Sequence, residues 1–281
     1  MSDSGAELQL EAADAYCRTL TRRHYENFSV ASRFVNAELR RELARIYAFC
    51  RSTDDFGDES APGAALDRLA RWRDEVRALF EGKQPIHPVL IALAPTVERH
   101  RLPQQPFLDL IEANVVDQHA ESYESWEQLD AYCRLSAAPV GRMVLGVFDV
   151  RDETAERLSD DVCIGLQLAN HAQDVRRDAA IGRKYLVESD VATLGNAGAT
   201  ASMVARARTL LASGEALERR APRALALQLA LYRMGGLAIC DAIEAQGYAT
   251  VDSRPSVSTG TKLALMMRAL LHSVSNRHPA R

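Results

Sequence analysis

Leu43, Tyr47, Cys50, Asp54 and Asp58 recur at steps of four, three, four and four, the spacing of one stripe along an α-helix. The stripe begins apolar, so it is expected to face a core, and it ends in two carboxylates. Asp55 and Glu59 add two more acids beside them. Negative side chains near a helix C-terminus oppose its macrodipole, and Gly57 followed by Ala61-Pro62-Gly63 predicts that this helix ends here. Such crowding costs stability unless a cation sits among the acids. From this stretch by itself two readings stand open: a solvated acidic helix end, or part of a cation site.

The spacing returns later in the chain. Cys163, Gln167, Asn170, Asp174 and Asp178 again follow steps of four, three, four and four. Carboxylates are not buried unpaired without a large desolvation cost. The stripe could face solvent, or Arg176, Arg177 and Arg183 could neutralise it, but Leu166, Leu168 and Ala169 leave little other face to bury. Two helices that each offer acids at i and i+4 can line opposite walls of one cavity. The donors are hard oxygens, with no His in register. That set favours Mg²⁺, which takes one or two carboxylates and completes its shell with water and phosphate. A di-iron bundle would carry Glu-x-x-His on its helices, and none is present.

The elements that must position these groups are helices. Helical period runs through Glu7–Arg23, from an N-cap at Asn36 into the first stripe, Ala64–Glu81, 88–100 and 105–120. Ser125-Trp-Glu-Gln128 has the form of a capping box and predicts a helix to about Val147, kinked at Pro139 and Gly141. A long helix is expected over 152–180, loops at 182–190 and 195–200, then helices over 200–220, 222–246 and 261–275. No strand alternation, repeat or low-complexity linker is evident, so the expected fold class is all-α, a single domain over residues 1–281 with its core at about 16–275.

Composition is that of a soluble globular protein, 47% hydrophobic and 26% charged. A net charge of −4 and a pI near 6.0 argue against nucleic acid. The five cysteines are scattered without metal or redox spacing and read as reduced thiols. With no secretory signal and no run of about 18 apolar residues, a cytoplasmic location is expected.

Tyr47-Ala-Phe-Cys-Arg51, Asp54-Asp-Phe-Gly-Asp-Glu59, Gln167-Leu-Ala-Asn170, Asp174-Val-Arg-Arg-Asp178 and Gly182-Arg-Lys-Tyr-Leu186 together resemble the squalene/phytoene synthase family of isoprenoid synthases, over about residues 16–271. The resemblance implies a helical bundle whose central cavity is closed by two Asp-rich helices, with Mg²⁺ gripping a prenyl diphosphate. It implies Asp54, Asp58, Asn170, Asp174 and Asp178 as the metal-facing set, with the four aspartates and Tyr47 at the catalytic centre. Arg51, Arg183 and Tyr185 match diphosphate-contacting positions, with Gln167 and Asn170 beside them. Phe28 and Ser29 match an early substrate-contacting segment.

Within the family, His24-Tyr-Glu-Asn-Phe-Ser-Val-Ala-Ser-Arg33, Asp117-Gln118, Ser136-Ala-Ala-Pro-Val-Gly-Arg142 and Gln173-Asp-Val look most like the bacterial branch that forms hydroxysqualene for hopanoids. That likeness implies presqualene diphosphate as substrate, a sister synthase that supplies it from farnesyl diphosphate, and a reductase downstream. Two alternatives accompany it: condensation of two prenyl diphosphates to presqualene diphosphate, squalene, dehydrosqualene or phytoene, and an inactive assembly factor, which the retained aspartates disfavour. Leu135 departs from a usual tyrosine, and Asn36 and Val187 from usual prolines. The last helix carries Leu263, Met266, Met267, Leu270, Leu271 and Val274 on one face beside Lys262 and Arg268. Core packing is the expected use, with a peripheral membrane contact as the alternative. Phe34, Val140, Met143 and Met234 are candidates to line a chain-binding cavity.

Overall fold

The computed structural model describes residues 3–23, 35–60 and 63–275. Phe28, Ser29 and Phe34 lie outside the described residues. Among those described, the protein is all-helical, as expected: α1 (Asp3–Arg23), α2 (Ala37–Asp58), α3 (Ala65–Phe80), α4 (Pro88–His100), α5 (Gln105–Val116), α6 (Trp126–Ser136), α7 (Ala138–Val147), α8 (Glu153–Ala180), α9 (Glu188–Ala212), α10 (Gly214–Arg220), α11 (Arg223–Ala245) and α12 (Thr259–Ser275). The chain forms two compact units, residues 1–119 with 139–151, and residues 120–138 with 152–281.

In the first unit α2 is the central element, packed on α1, α3, α4 and α5. Asn36 caps it, its side chain accepting the Leu39 N–H at 2.8 Å. Leu43, Ile46 and Phe49 are buried, with Phe49 stacked on Trp72 of α3 and edge-on to Phe107 of α5. Trp72 donates its indole N–H to Thr53 at 3.0 Å, so this ring fixes α2 at the residue just before the acids begin. Asp14 of α1 receives Arg45 of α2 through two 2.8 Å hydrogen bonds, and Arg45 also donates to Thr96 of α4 at 3.0 Å. A buried pair with this many partners locks the register of three helices, which apolar packing alone would leave looser.

In the second unit α8 is central, packed on α6, α9, α10 and α11. Asp152 caps it, accepting from the N–H groups of Thr154 and Ala155. Helix α11 is apolar and long enough to cross a membrane by composition, but half of it is buried inside the molecule. Ala269 of α12 is buried against Leu227 and Ala230 of α11, with Leu231 and Met234 packed alongside. Met234 therefore serves that core cluster. The apolar face of α12 divides: Ala269 is covered, while Leu263 and Met267 are more than half exposed.

Three local expectations change. The helix over 126–147 is not kinked but broken at Ala137, giving α6 and α7. Ser125 makes no capping bond from its side chain, and Gln128 accepts the N–H of Glu124 at 2.9 Å, one residue before the cap, so the chain entering α6 is tied down without a capping box. The loops expected near 182–190 and 195–200 are shorter than foreseen. Helix α9 starts at Glu188 and continues across a kink at Gly195, whose φ of 69° is a conformation that favours glycine.

Candidate active site

The first stripe grades outward as its sequence does. Leu43 is buried, Tyr47, Cys50 and Asp54 are half-buried, and Asp58 is exposed. No basic residue occupies the last turn of α2 to offset its dipole. Burial pushes the Tyr47 phenol up, with Arg51 opposing that shift. Arg51 pairs with Asp55 at 2.5 Å and Glu59 at 3.2 Å. Its guanidinium thus answers the two acids that lie off the stripe.

Asp54 is the most perturbed acid of this group. Protein surrounds it densely, and burial pushes its carboxyl up to about 7. Asn114 opposes that shift by donating Nδ2 at 3.4 Å, and Asp58 reinforces it. Asn114 is buried and also donates to Leu110 O at 3.1 Å. Gln118 Nε2 donates to Gly57 O at 3.3 Å and to Asn114 O at 3.2 Å, tying the end of α5 to the end of α2. A Cβ at Gly57 would lie 2.7 Å from Asn114 Oδ1, so only glycine allows this approach. Gly57→Ala is expected to cost only about 1 kcal/mol, because the amide can swing away. Swinging away removes the donor to Asp54, so any turnover should fall further than stability does. Thermal melts and initial rates on the same preparation check this.

The second stripe is less buried than its sequence suggests. Asn170 is exposed, Gln167, Asp174 and Asp178 are half-buried, and Leu168, Ala169, His171, Ala172 and Gln173 form the covered side of α8. Neutralisation by arginine, an alternative to a cation site, occurs at Asp174, but through a residue other than Arg176, Arg177 or Arg183. Arg254 Nε donates to Asp174 Oδ1, and its Nη2 to Asp174 Oδ2 at 3.4 Å and Gln173 Oε1 at 3.0 Å. Gln173 in turn donates to Pro255 O at 2.8 Å, and Arg176 donates to Asp252 O at 2.5 Å. The segment 252–255 is therefore strapped across this face of α8.

Arg183 and Tyr185 lie in the connection after α8. Lys184 N–H donates to Glu121 O at 3.0 Å and Glu188 N–H to Tyr123 O at 2.9 Å, so the connection runs alongside 121–124. Tyr185 is buried, stacked with Tyr123, Tyr132 and His171. Asp178, Arg183 and Tyr185 line one pocket of about 490 Å³ with His171, Val175 and Val251. His171 corrects the expectation that no His is in register: it follows Gln167 by four residues and precedes Asp178 by seven, and its Nδ1 lies 4.0 Å from Asp178 Oδ2.

Among the described residues, no three Asp, Glu, His or Cys side chains gather as a ready-made metal site. Each unit instead presents acids at i and i+4, which suits an ion that takes one or two carboxylates and draws its other ligands from phosphate and water. Asp54 fits that use well, since a neighbouring cation would offset the cost of ionising its buried carboxyl.

Residues 21–261 match the family model described as squalene/phytoene synthase. The chain belongs to the squalene/phytoene synthase family. The hydroxysqualene synthase of Zymomonas mobilis subsp. mobilis is 36% identical over 200 residues, 70% of this chain and 65% of that protein. The phytoene synthase of Arthrospira platensis is 31% identical over 196 residues, 64% of this chain and 63% of that protein. This chain therefore aligns with slightly less than two thirds of either relative's length. The crystal structure of squalene synthase HpnC from Alicyclobacillus acidocaldarius superposes with a TM-score of 0.81 at 45% identity, covering 86% of this chain and 96% of that one. The match spans both acidic stripes, and the family is one of isoprenoid biosynthesis.

Proposed function

We propose that this protein is a Mg²⁺-dependent enzyme that ionises presqualene diphosphate and captures the resulting cation with water, giving hydroxysqualene and diphosphate. The observation that carries this is Asp54, an acid at the end of α2 whose carboxyl burial pushes up to about 7, so that a cation beside it would favour the ionised form. Asp54 and Asp58 on one helix and Asn170, Asp174 and Asp178 on the other would hold the ions. When bound, Mg²⁺ would neutralise charge developing on the leaving diphosphate. Arg51 and Arg183 would bind the diphosphate oxygens, with Tyr185 packed beside Arg183 to shape that wall. Tyr47 would contact the substrate at the cavity mouth. The carbon–oxygen bond to diphosphate breaks with its electron pair on the leaving group, and a water oxygen forms the new bond and releases its proton. Apolar walls keep other water away from the cation until then.

The hydroxysqualene outcome draws support from the identity with the Zymomonas protein and from Gln173, where other head-to-head synthases often carry Arg. Gln173 is held by Arg254 and Pro255 O. The similarity to phytoene synthase sustains a second reading, condensation of two prenyl diphosphates. Incubating purified protein with presqualene diphosphate or farnesyl diphosphate, with Mg²⁺ and with or without NADPH, separates them by product. Hydroxysqualene from the first substrate alone supports the proposal, whereas a C30 or C40 product from simple prenyl diphosphates favours condensation. A cytoplasmic enzyme with a lipid substrate and product also suits a peripheral membrane contact, for which the exposed Leu263 and Met267 are the candidates. Liposome flotation tests that contact, and failure to float removes it.

A further inference from the structure

We infer that the wedge between the end of α8 and the start of α9 is a chain-binding pocket, holding part of the hydrocarbon of the prenyl diphosphate. The two helices are pressed together at their other ends. A Cβ on Gly165 of α8 would lie 3.1 Å from Ala207 O and 3.0 Å from Leu211 Cγ, both on α9. Toward the C-terminus of α8 the same pair diverges. Val175 and Ala179 of α8 and Val191 and Ala192 of α9 line a pocket of about 490 Å³, with Leu186 and Val251 adding to its walls. Small-molecule sites span roughly 300–1,000 Å³, so this space suits an organic ligand.

The opening is built rather than slack. The connection between the two helices is pinned by Lys184 N–H on Glu121 O at 3.0 Å and Glu188 N–H on Tyr123 O at 2.9 Å. Tyr185 of that connection is buried and stacked on His171 of α8, centroids 3.7 Å apart. Ala179 and Ala192 are the smallest side chains of the lining and both are exposed, so neither wall fills the gap. The chemistry of the pocket has two parts. Its walls are largely hydrocarbon, and Asp178, Arg183, Lys184 and Glu188 stand in the same lining. Hydrocarbon walls left to water cost free energy that an apolar ligand recovers. Arg183 and Asp178 are the groups proposed to hold diphosphate and its metal, so a head bound there has apolar walls within reach of its chain. An amphiphile with an anionic head suits both parts. The inference rests on that diphosphate reading, and it makes Val175, Ala179, Val191 and Ala192 specificity-determining residues.

Titration calorimetry of the full chain in Mg²⁺ tests it with two probes. Inorganic diphosphate reports the head alone, and farnesyl thiolodiphosphate, whose sulfur link resists ionisation, reports head and chain together. Ala179→Trp and Ala192→Trp each fill the wedge from one wall, and Ala180→Trp places the same ring on an exposed position outside the lining. The two filling variants are expected to bind the thiolodiphosphate about tenfold more weakly or worse, with inorganic diphosphate unchanged. Ala180→Trp should match the wild type with both probes. Thermal melts report folding, and because the two changes lie on different helices, one folded filling variant suffices. Unchanged thiolodiphosphate affinity in the filling variants would overturn the inference while leaving the diphosphate site standing. Equal losses for both probes would assign the effect to damage at the head site and equally overturn it. So would unchanged affinity joined to weaker flotation on phosphatidylglycerol vesicles, which gives the pocket to a membrane lipid. If the wild type binds neither probe, the diphosphate reading fails first and the inference with it.

Discussion

Asp54→Asn is expected to abolish Mg²⁺-dependent turnover while making the free protein more stable at pH 8. The carboxyl is pushed from an ordinary value of 3.8 to about 7 in the fold, so the native state holds its proton more tightly than the unfolded chain. Stability contributed by that proton is fully present at low pH. It is lost as pH rises from about 4 through 7, and the full penalty applies above. That rise corresponds to roughly 4 kcal/mol, and with part of the side chain in contact with solvent about 2 kcal/mol is expected. Asparagine keeps the shape without the charge, so the variant should melt about 3–4 °C higher at pH 8 and show no gain at pH 4. Added Mg²⁺ with diphosphate should raise the wild-type melting temperature at pH 8 and leave the variant unmoved. Calorimetry at both pH values checks the sign, and a variant less stable than wild type at pH 8 contradicts it.

Asp174→Ala should also abolish turnover, by at least about a thousandfold if an ion on the leaving group supplies several kcal/mol to the transition state. Its effect on stability is expected to be small. The Arg254–Asp174 pair is half open to solvent, and such pairs contribute about 0–1 kcal/mol. Arg254 retains Gln173 as a partner after the change. The two aspartates therefore separate by their melts: removing the acid at 54 stabilises, and removing the acid at 174 does not. Initial rates with and without Mg²⁺, beside a melt of each variant, measure both effects. Wild-type rates in Asp174→Ala would remove this residue from the metal set.

Periodicity made the helices legible, and with them the two acidic stripes, because a four-three-four-four spacing survives whatever packs around it. The tertiary partners of those acids were not legible in the same way. Asn114 sits within the apolar run of α5, and its use depends on α5 crossing the end of α2 at Gly57. Its signal was a lone amide among Ala113, Val115 and Val116, visible but without a partner in sequence. His171 could have been found, since Gln167, His171 and Asp178 share a face at steps of four and seven. Asn170, one residue earlier, fits the four-three-four-four spacing equally well, so period by itself does not choose between the two. Arg254 offered no signal at all, standing 80 residues from Asp174 and joined to it only by the strap at 252–255. Helix ends were the other loss. Ser125 has the right neighbours for a cap, yet its backbone, extended at φ −137° and ψ 164°, carries no capping bond from the side chain. Loop lengths near 182–200 were overestimated because Gly195 reads as a breaker, whereas α9 absorbs it as a kink.

The central claim is that the acids at the ends of α2 and α8 serve a metal that draws diphosphate off a prenyl substrate. Diphosphate release from presqualene diphosphate, followed continuously with purified protein and titrated with Mg²⁺, tests it most directly. The account predicts release that is absent in chelator, saturates with Mg²⁺ and disappears in Asp54→Asn and Asp174→Ala. Release that proceeds equally in chelator, or no release from either presqualene or farnesyl diphosphate at any Mg²⁺ concentration, would contradict it.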